Sequence, residues 1–183
     1  MEIRKLGLDG VLEIVPRRFA DDRGFFSETY NAETFAAAGV TLAFVQDNHS
    51  YSSAKGVLRG LHYQLPPRAQ DKLVRVVRGA ILDVAVDIRK SSPDFGKWVA
   101  LEISAEKWNQ ILVPKGFAHA FVTLTEDTEV VYKVTDTYSR DHDRSIRFDD
   151  PDIGIDWPLP AKMLRLSEKD RNAPLLKAAE IFD

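Results

Sequence analysis

The chain has 183 residues, 44% hydrophobic and 29% charged, which is typical of a folded globular protein and argues against disorder or a fibrous repeat. Lys and Arg total 25 against 28 for Asp and Glu, so the net charge of -3 argues against nucleic acid or an anionic membrane as a partner. Because cysteine is absent, disulfides, thiolate metal sites and a cysteine nucleophile are excluded.

The N-terminal residues Met1–Lys5 lack the apolar run of a signal peptide, and no stretch of roughly 18 successive apolar residues occurs in the chain. We therefore predict a cytoplasmic protein without a membrane span. The length is that of one domain, and no linker, repeat or low-complexity segment divides it. We expect residues 1–183 to form a single domain.

Short runs of alternating apolar and polar residues recur along the chain, with Gly, Pro, Asn or Asp between them. This pattern is typical of strands, and about ten strands suffice for two packed sheets. We therefore predict an all-β sandwich or barrel with a few short peripheral helices. In chain order the predicted elements are strands at Val11–Val15 and Gly24–Tyr30, a helix from Asn31 through Ala38 stopped by Gly39, strands at Phe44–His49, Val57–Gln64, Leu73–Val77, Ala80–Ile88, Trp98–Ser104, Gln110–Val113, Ala120–Leu124 and Glu129–Thr135, and a capped turn at Ser167–Asp170.

The clearest alternation is that of the predicted strand from Ala80 to Ile88. Successive side chains of a strand point to opposite faces, so Val84, Val86 and Ile88 share one face while Asp83 lies on the other. We expect the apolar face to point to the core.

Two of the four histidines, His62 and His119, lie beside glycines and basic residues. A lone histidine among apolar residues is most often a hydrogen-bonded core residue. The segment Pro114–Phe121 has the Pro-x-Gly-x-x-His spacing of the second cupin motif, whereas His62-Tyr63-Gln64 replaces the His-x-His and Glu of metal-binding cupins. A divalent metal needs about three or four convergent ligands, and an amide is a poor one, so we expect no metal.

The segment Gly56–Gln64 and the following Gln70–Val74 are similar to the signature of the dTDP-4-dehydrorhamnose 3,5-epimerase family. The resemblance covers about residues 5–175 and implies a cupin-type double-stranded β-helix, or jelly roll. It also implies conversion of dTDP-4-keto-6-deoxy-D-glucose to dTDP-4-keto-L-rhamnose without a cofactor. Further matching motifs are Asp22–Glu28, Gln46–Asn48, Asp83–Arg89, Pro114–Phe121, Tyr132-Lys133 and Ser167–Asp170.

Epimerisation beside a keto group needs a base, a cation for the enolate and a proton donor on the opposite face. Histidine titrates near neutral pH, so His62 is the predicted base, and the resemblance pairs it with Asp170. Lys72 is the predicted cation and Tyr132, by resemblance, the donor. The alternatives are ordinary structural roles: a helix cap for Asp170, a surface charge for Lys72 and packing for Tyr132.

A nucleotide diphosphate calls for arginine forks, and Arg23 and Arg59 lie in the matching motifs. The resemblance assigns supporting contacts to His119 and Lys169. The family commonly has Gly where Ala120 stands, which leaves the close packing near His119 open.

The resemblance assigns nucleotide or sugar contacts to Glu28, Gln46 and Asn48. It places Tyr138 where an aromatic ring stacks on thymine. The family often has Glu where Asp143 stands, so the predicted nucleotide contact at 143 depends on a shorter carboxylate.

Members of the family form homodimers to which N-terminal strands contribute, and Phe25, Phe26 and Tyr30 are the predicted contacts. Two alternatives to a 3,5-epimerase stay open. One is an enzyme of the same scaffold that inverts only carbon 3 or carbon 5, or a 3,4-ketoisomerase. The other is a sugar-binding cupin without catalysis, although the combined presence of the four predicted catalytic residues favours an enzyme.

Overall fold

Two antiparallel sheets pack face to face in the computed structural model, which describes residues 1–183. One sheet has six strands in the order β1-β2-β10-β7-β12-β5, the other has five in the order β13-β6-β11-β8-β9, and β3 and β4 form a separate hairpin. The all-β jelly-roll prediction with short helices is confirmed. The elements are β1 (Glu2–Lys5), β2 (Leu12–Val15), β3 (Phe19–Asp21), β4 (Gly24–Phe26), α1 (Ala32–Ala37), β5 (Gln46–Ser52), β6 (Leu58–Gln64), β7 (Lys72–Arg78), β8 (Ala80–Asp87), β9 (Trp98–Ser104), β10 (Gln110–Val113), β11 (Phe117–Thr123), β12 (Thr128–Val134), β13 (Asp143–Ser145) and α2 (Glu168–Arg171).

The main core lies between the two sheets. Val74 and Val130 of the six-stranded sheet meet Ile81, Ala85 and Phe121 of the five-stranded sheet there, and all five are buried. Each fully buried Val or Ile side chain contributes about 1.5–3 kcal/mol to folding, so this layer holds the sheets together.

A second core covers the outer face of the five-stranded sheet. Val84, Val86 and Ile88 are buried as predicted, but they pack against the C-terminal part of the chain, including Ile153 and Leu176, rather than against the other sheet. The sheet is therefore buried on both faces. The face of β8 that turns towards the six-stranded sheet is the one that carries Asp83.

Several strand boundaries differ from the predicted ones, and three short strands were missed. β4 ends at Phe26 rather than Tyr30, β5 runs from Gln46 to Ser52, and β11 begins at Phe117. The missed strands β1, β3 and β13 have only three or four residues each and little apolar alternation, so they carry no clear strand pattern. Of the three, only β13 pairs with a strand distant in sequence, β6.

Both helix caps occur where the sequence predicts them. The side chain of Asn31 accepts hydrogen bonds from the backbone N–H groups of Glu33 and Thr34, each at 3.1 Å, and Ser167 accepts from that of Asp170 at 3.1 Å. Neither α-helix has the length and apolar content needed to cross a membrane.

Candidate functional site

Two adjacent cavities share His62, Lys72, Tyr132 and Lys169 in their linings. The large cavity has a volume of about 510 Å³ and the small cavity about 260 Å³. Three of the four predicted catalytic side chains thus line both cavities, and Asp170 lines the large one.

Close strand packing positions His62. It lies on β6, directly opposite His119 on the neighbouring β11. Gly60 has a φ of +122°, and a Cβ atom there would lie 2.5 Å from the Cβ of Ala120. Glycine at position 60 therefore leaves room for the methyl group of Ala120, which is fully buried.

His62 and Asp170 form a hydrogen bond of 2.5 Å between Nε2 and Oδ1, across 108 residues of sequence. Burial alone would raise the pKa of Asp170, but the hydrogen bond and charge of His62 outweigh it, and the pKa is lowered. A carboxylate at Nε2 favours the tautomer with a proton there. Nδ1 has no protein partner and keeps its lone pair.

Lys72 is buried, with 8% of its surface exposed, so it is not one more surface charge. Its Nζ donates a hydrogen bond to the backbone carbonyl of His62 at 3.2 Å. Burial lowers the pKa of Lys72 to about 8, and the charges of Asp83 and Asp143 oppose this shift. An ammonium group is thus held close to the His62 backbone.

Asp83 is a residue of this site that the sequence interpretation missed. It is completely buried, and its two oxygens lie 2.9 and 2.8 Å from Nε2 of His119. Burial raises the pKa of Asp83, while the positive charges of His119 and Lys72 oppose the shift. A charged residue inside an apolar strand was the available signal, because buried charges need partners.

Tyr132 approaches the cavities from the opposite sheet. It lies on β12, whereas His62 lies on β6 of the facing sheet. Its phenol makes no hydrogen bond within the chain, and burial raises the pKa of Tyr132, so it keeps its proton at neutral pH. The arrangement has an imidazole and a neutral phenol lining the same space from two sides.

The small cavity has a polar wall. Nε2 of Gln46 donates to Oδ1 of Asn48 at 2.9 Å, and Oε1 of Gln46 accepts from the backbone of Tyr138 at 3.0 Å. The ring of Tyr138 is 60% exposed. Asp143 forms an ion pair with Lys169. These five predicted binding residues therefore lie together.

The large cavity brings together Arg59 and His119 with three residues that the sequence interpretation did not single out. Arg59 donates to the backbone carbonyl of Tyr51 at 3.2 Å and to Oγ of Ser52 at 3.4 Å. The hydroxyl of Ser50 is buried without a hydrogen-bond partner. The three added residues are Ser50, Arg165 and Leu166.

Arg23 and Glu28 line neither cavity. The side chain of Arg23 is 86% exposed on the β3–β4 hairpin, where it pairs with Asp21. One copy of the chain therefore does not bring these two predicted binding residues to the site.

No group of three or more His, Asp or Glu side chains is arranged to hold a metal ion. Nε2 of His62 faces Asp170, and Nε2 of His119 faces Asp83. That the protein acts without a bound metal stays a prediction.

Comparisons with known proteins point to one family. Residues 5–178 match the family model described as dTDP-4-dehydrorhamnose 3,5-epimerase. The enzyme of that name from Pseudomonas aeruginosa is 50% identical over 183 residues, which cover 100% of this chain and 99% of the relative.

Solved structures are similar over nearly the whole chain. The crystal structure of dTDP-4-dehydrorhamnose 3,5-epimerase from Bacillus anthracis with TDP and PPi bound has a TM-score of 0.92 at 48% identity, covering 95% of this chain and 98% of that one. The crystal structure of the dTDP-6-deoxy-D-glucose-3,5-epimerase from Legionella pneumophila in complex with dTDP-4-keto-L-rhamnose has a TM-score of 0.92 at 46% identity. The match covers 97% of this chain and 93% of that one.

Proposed function

The chain belongs to the dTDP-4-dehydrorhamnose 3,5-epimerase family, and from this premise we propose how its cavity inverts carbons 3 and 5 of dTDP-4-keto-6-deoxy-D-glucose. The protein is an isomerase of dTDP-L-rhamnose biosynthesis that forms dTDP-4-keto-L-rhamnose. The observation that carries the mechanism is the presence of His62 and Tyr132 on facing sheets around one cavity, which Lys72 also lines.

His62 acts as the base. Its Nδ1 takes the proton from the carbon beside the keto group, and Asp170 stabilises the imidazolium that results. The hydrogen bond between Nε2 and Oδ1 supports this role, because it fixes the ring and its tautomer before substrate binds.

Lys72 stabilises the enolate that forms when the proton leaves. A buried ammonium is a fixed positive charge in a site poor in water, and such contacts are usually the largest electrostatic contribution to catalysis. His119, whose Nε2 is held by Asp83, lines the same cavity.

Tyr132 returns a proton to the opposite face of the sugar, so that the carbon is inverted. The raised pKa of its phenol supports a donor that stays neutral until the enolate forms. After the first inversion His62 gives its proton to water and Tyr132 takes a proton from water, so the same base, cation and donor serve carbons 3 and 5 in turn. None of these steps needs a cofactor.

Solvent labelling tests this function. Incubation of the protein with dTDP-4-keto-6-deoxy-D-glucose in deuterated water, without added metal, should place deuterium at both carbon 3 and carbon 5, as followed by NMR. Label at one carbon alone would favour an enzyme that inverts a single centre. No label at either carbon would leave only a sugar-binding role.

Asp83 sets the pH range of activity through Lys72. The pKa of Lys72 is about 8, and the carboxylate raises it against the effect of burial. Activity should therefore fall as the pH rises through about 8 and the ammonium loses its proton. In Asp83→Asn this raising charge is gone, the pKa of Lys72 is lower still, and the alkaline limb of the kcat profile should move to lower pH.

The matched control is Asp87→Asn, which removes a fully buried aspartate of the same strand that pairs with Arg89 and lines neither cavity. Its alkaline limb should coincide with that of the unmodified enzyme. An unshifted limb in Asp83→Asn would contradict the link between Asp83 and Lys72.

A homodimer accounts for Arg23 and Glu28. Arg23 lies in the turn of the β3–β4 hairpin, and the exposed fractions of Phe19, Phe25 and Phe26 on this hairpin are 50%, 53% and 65%. An exposed apolar surface of this kind is suited to contact with a second copy of the chain. We infer that each hairpin reaches the cavity of its partner. Tyr30, also a predicted contact, is half-buried and packs against Phe35 and Phe44 of its own chain. Its contact with a second copy stays a prediction.

A mixing experiment tests this exchange. Arg23→Ala and His62→Ala should each be impaired alone, but co-expression should restore activity. One of the two cavities in each mixed dimer then combines an intact His62 with the partner's intact Arg23. Since about half of the dimers are mixed after random 1:1 assembly, about a quarter of the unmodified activity is expected. Activity no higher than the average of the two variants would show that Arg23 acts in its own chain.

The cytoplasmic location stays a prediction.

A further inference from the structure

Arg165 lines the large cavity without any partner for its guanidinium group. The other basic groups of that wall are engaged: Lys169 pairs with Asp143, and Arg59 donates to Tyr51 and Ser52. Nothing in the proposed mechanism uses Arg165. The roles of the four catalytic residues therefore do not account for an arginine at this position of the cavity wall.

The backbone fixes where the Arg165 side chain starts. Arg165 forms a parallel bridge with Val57, through hydrogen bonds from its N–H to Gly56 at 2.8 Å and from the N–H of Leu58 to its carbonyl at 3.0 Å. Leu164, the preceding residue, is buried in an apolar cluster with Leu58. The chain on both sides of Arg165 is thus anchored, although its side chain is exposed.

This bridge places Arg165 beside Arg59. Residues two apart on a strand share a face, so Val57 and Arg59 point the same way, and all three residues line the large cavity. The strand spacing and the rise over two residues put the Cβ atoms of Arg59 and Arg165 about 8 Å apart. Two arginine side chains that start at this separation are long enough to bind the same anion.

The charges of the large cavity favour a polyvalent anion. Its lining holds Arg59, Lys72, Arg165 and Lys169 but only one carboxylate, that of Asp170, which bonds to His62. The unpartnered hydroxyl of Ser50 adds a donor in the same lining. A nucleoside diphosphate has the charge and the oxygen atoms to occupy two guanidinium forks.

We propose that Arg165 is a specificity residue that binds the diphosphate of the nucleotide together with Arg59, and that it selects nucleoside diphosphates over monophosphates. The inference rests on the proposed function, since it concerns the same cavity. The Cβ atoms of Arg59 and Arg165 lie about 8 Å apart, so one phosphate of a diphosphate can bond to Arg59 while the other bonds to Arg165. A monophosphate bound to Arg59 leaves Arg165 without a phosphate, so Arg165 contributes to binding only when the second phosphate is present.

Nucleotide binding tests this inference independently of epimerisation. Dissociation constants of dTDP and dTMP are measured by calorimetry for the unmodified protein and for Arg165→Gln. We expect Arg165→Gln to weaken dTDP about tenfold, the effect of one charge-assisted contact, and dTMP by less than about twofold. The ratio of the two constants on one preparation does not depend on the fraction of folded protein.

Arg171→Gln is the control, because Arg171 is exposed on α2 nearby and lines neither cavity. It should leave both dissociation constants unchanged. If Arg165→Gln leaves dTDP binding intact, or weakens both nucleotides equally, the selectivity role of Arg165 is wrong while the epimerase function stands. Failure of the unmodified protein to bind dTDP would overturn both.

Discussion

Replacement of His62 by alanine should reduce deuterium exchange at carbons 3 and 5 by about a thousandfold or more, while dTDP binding changes by less than about threefold. The loss is large because the variant lacks the proposed base, the imidazole whose Nε2 is held by Asp170 and whose Nδ1 has no partner within the chain. Asp170 then stays buried beside the vacated space and loses its imidazole partner, but it keeps its hydrogen bonds with Ser167 and with the backbone of Gly60. Exchange is measured by NMR in deuterated water, and dTDP binding by calorimetry.

His142→Ala is the matched control for that variant. His142 is half-buried and contacts Oγ of Ser139 at 2.8 Å, but it lines neither of the two cavities of the site. It should exchange at the rate of the unmodified enzyme. Exchange in His62→Ala within about tenfold of normal would remove His62 from the role of base.

Replacement of Tyr132 by phenylalanine should slow product formation by about a hundredfold to a thousandfold. The phenol makes no hydrogen bond within the chain, so its removal breaks no internal contact and the packing of the ring is kept. The variant loses the proton donor of the face opposite His62. It should therefore fold and bind dTDP like the unmodified enzyme.

The two variants differ in what happens to the label. In Tyr132→Phe, His62 still removes a proton and returns a deuteron to the same face, so the unreacted substrate should gain deuterium while little inverted product forms. In His62→Ala neither should occur. Normal rates of inversion in Tyr132→Phe would contradict the role of Tyr132 and leave water as the donor.

Local sequence pattern predicted much of the fold. The alternation in Ala80–Ile88 identified a buried strand, and Asn31 and Ser167 marked where the two helices begin. These features depend on neighbours within a few residues, because side-chain direction in a strand and the first free N–H groups of a helix are local properties. β13 has no such pattern, and it forms only because β6 offers it an edge.

The resemblance of motifs supplied the members of the site, and the tertiary structure decided their arrangement. His62 and Lys72 are ten residues apart and their contact follows from adjacent segments, but the partner of His62 is 108 residues away. That pairing requires the C-terminal chain to cross the outer face of the five-stranded sheet, against Val84 and Val86. No local pattern contains this information.

By itself, the sequence determined an all-β chain without cysteine, its strand periodicity and the residue types that epimerisation requires. Only the tertiary structure decided that both faces of β8 are buried, that Asp83 turns inward to hold His119, and that Arg23 lies outside its own cavities. The physical reason is that the period of two in a strand assigns each side chain to one of two faces. What covers each face depends on segments far along the chain.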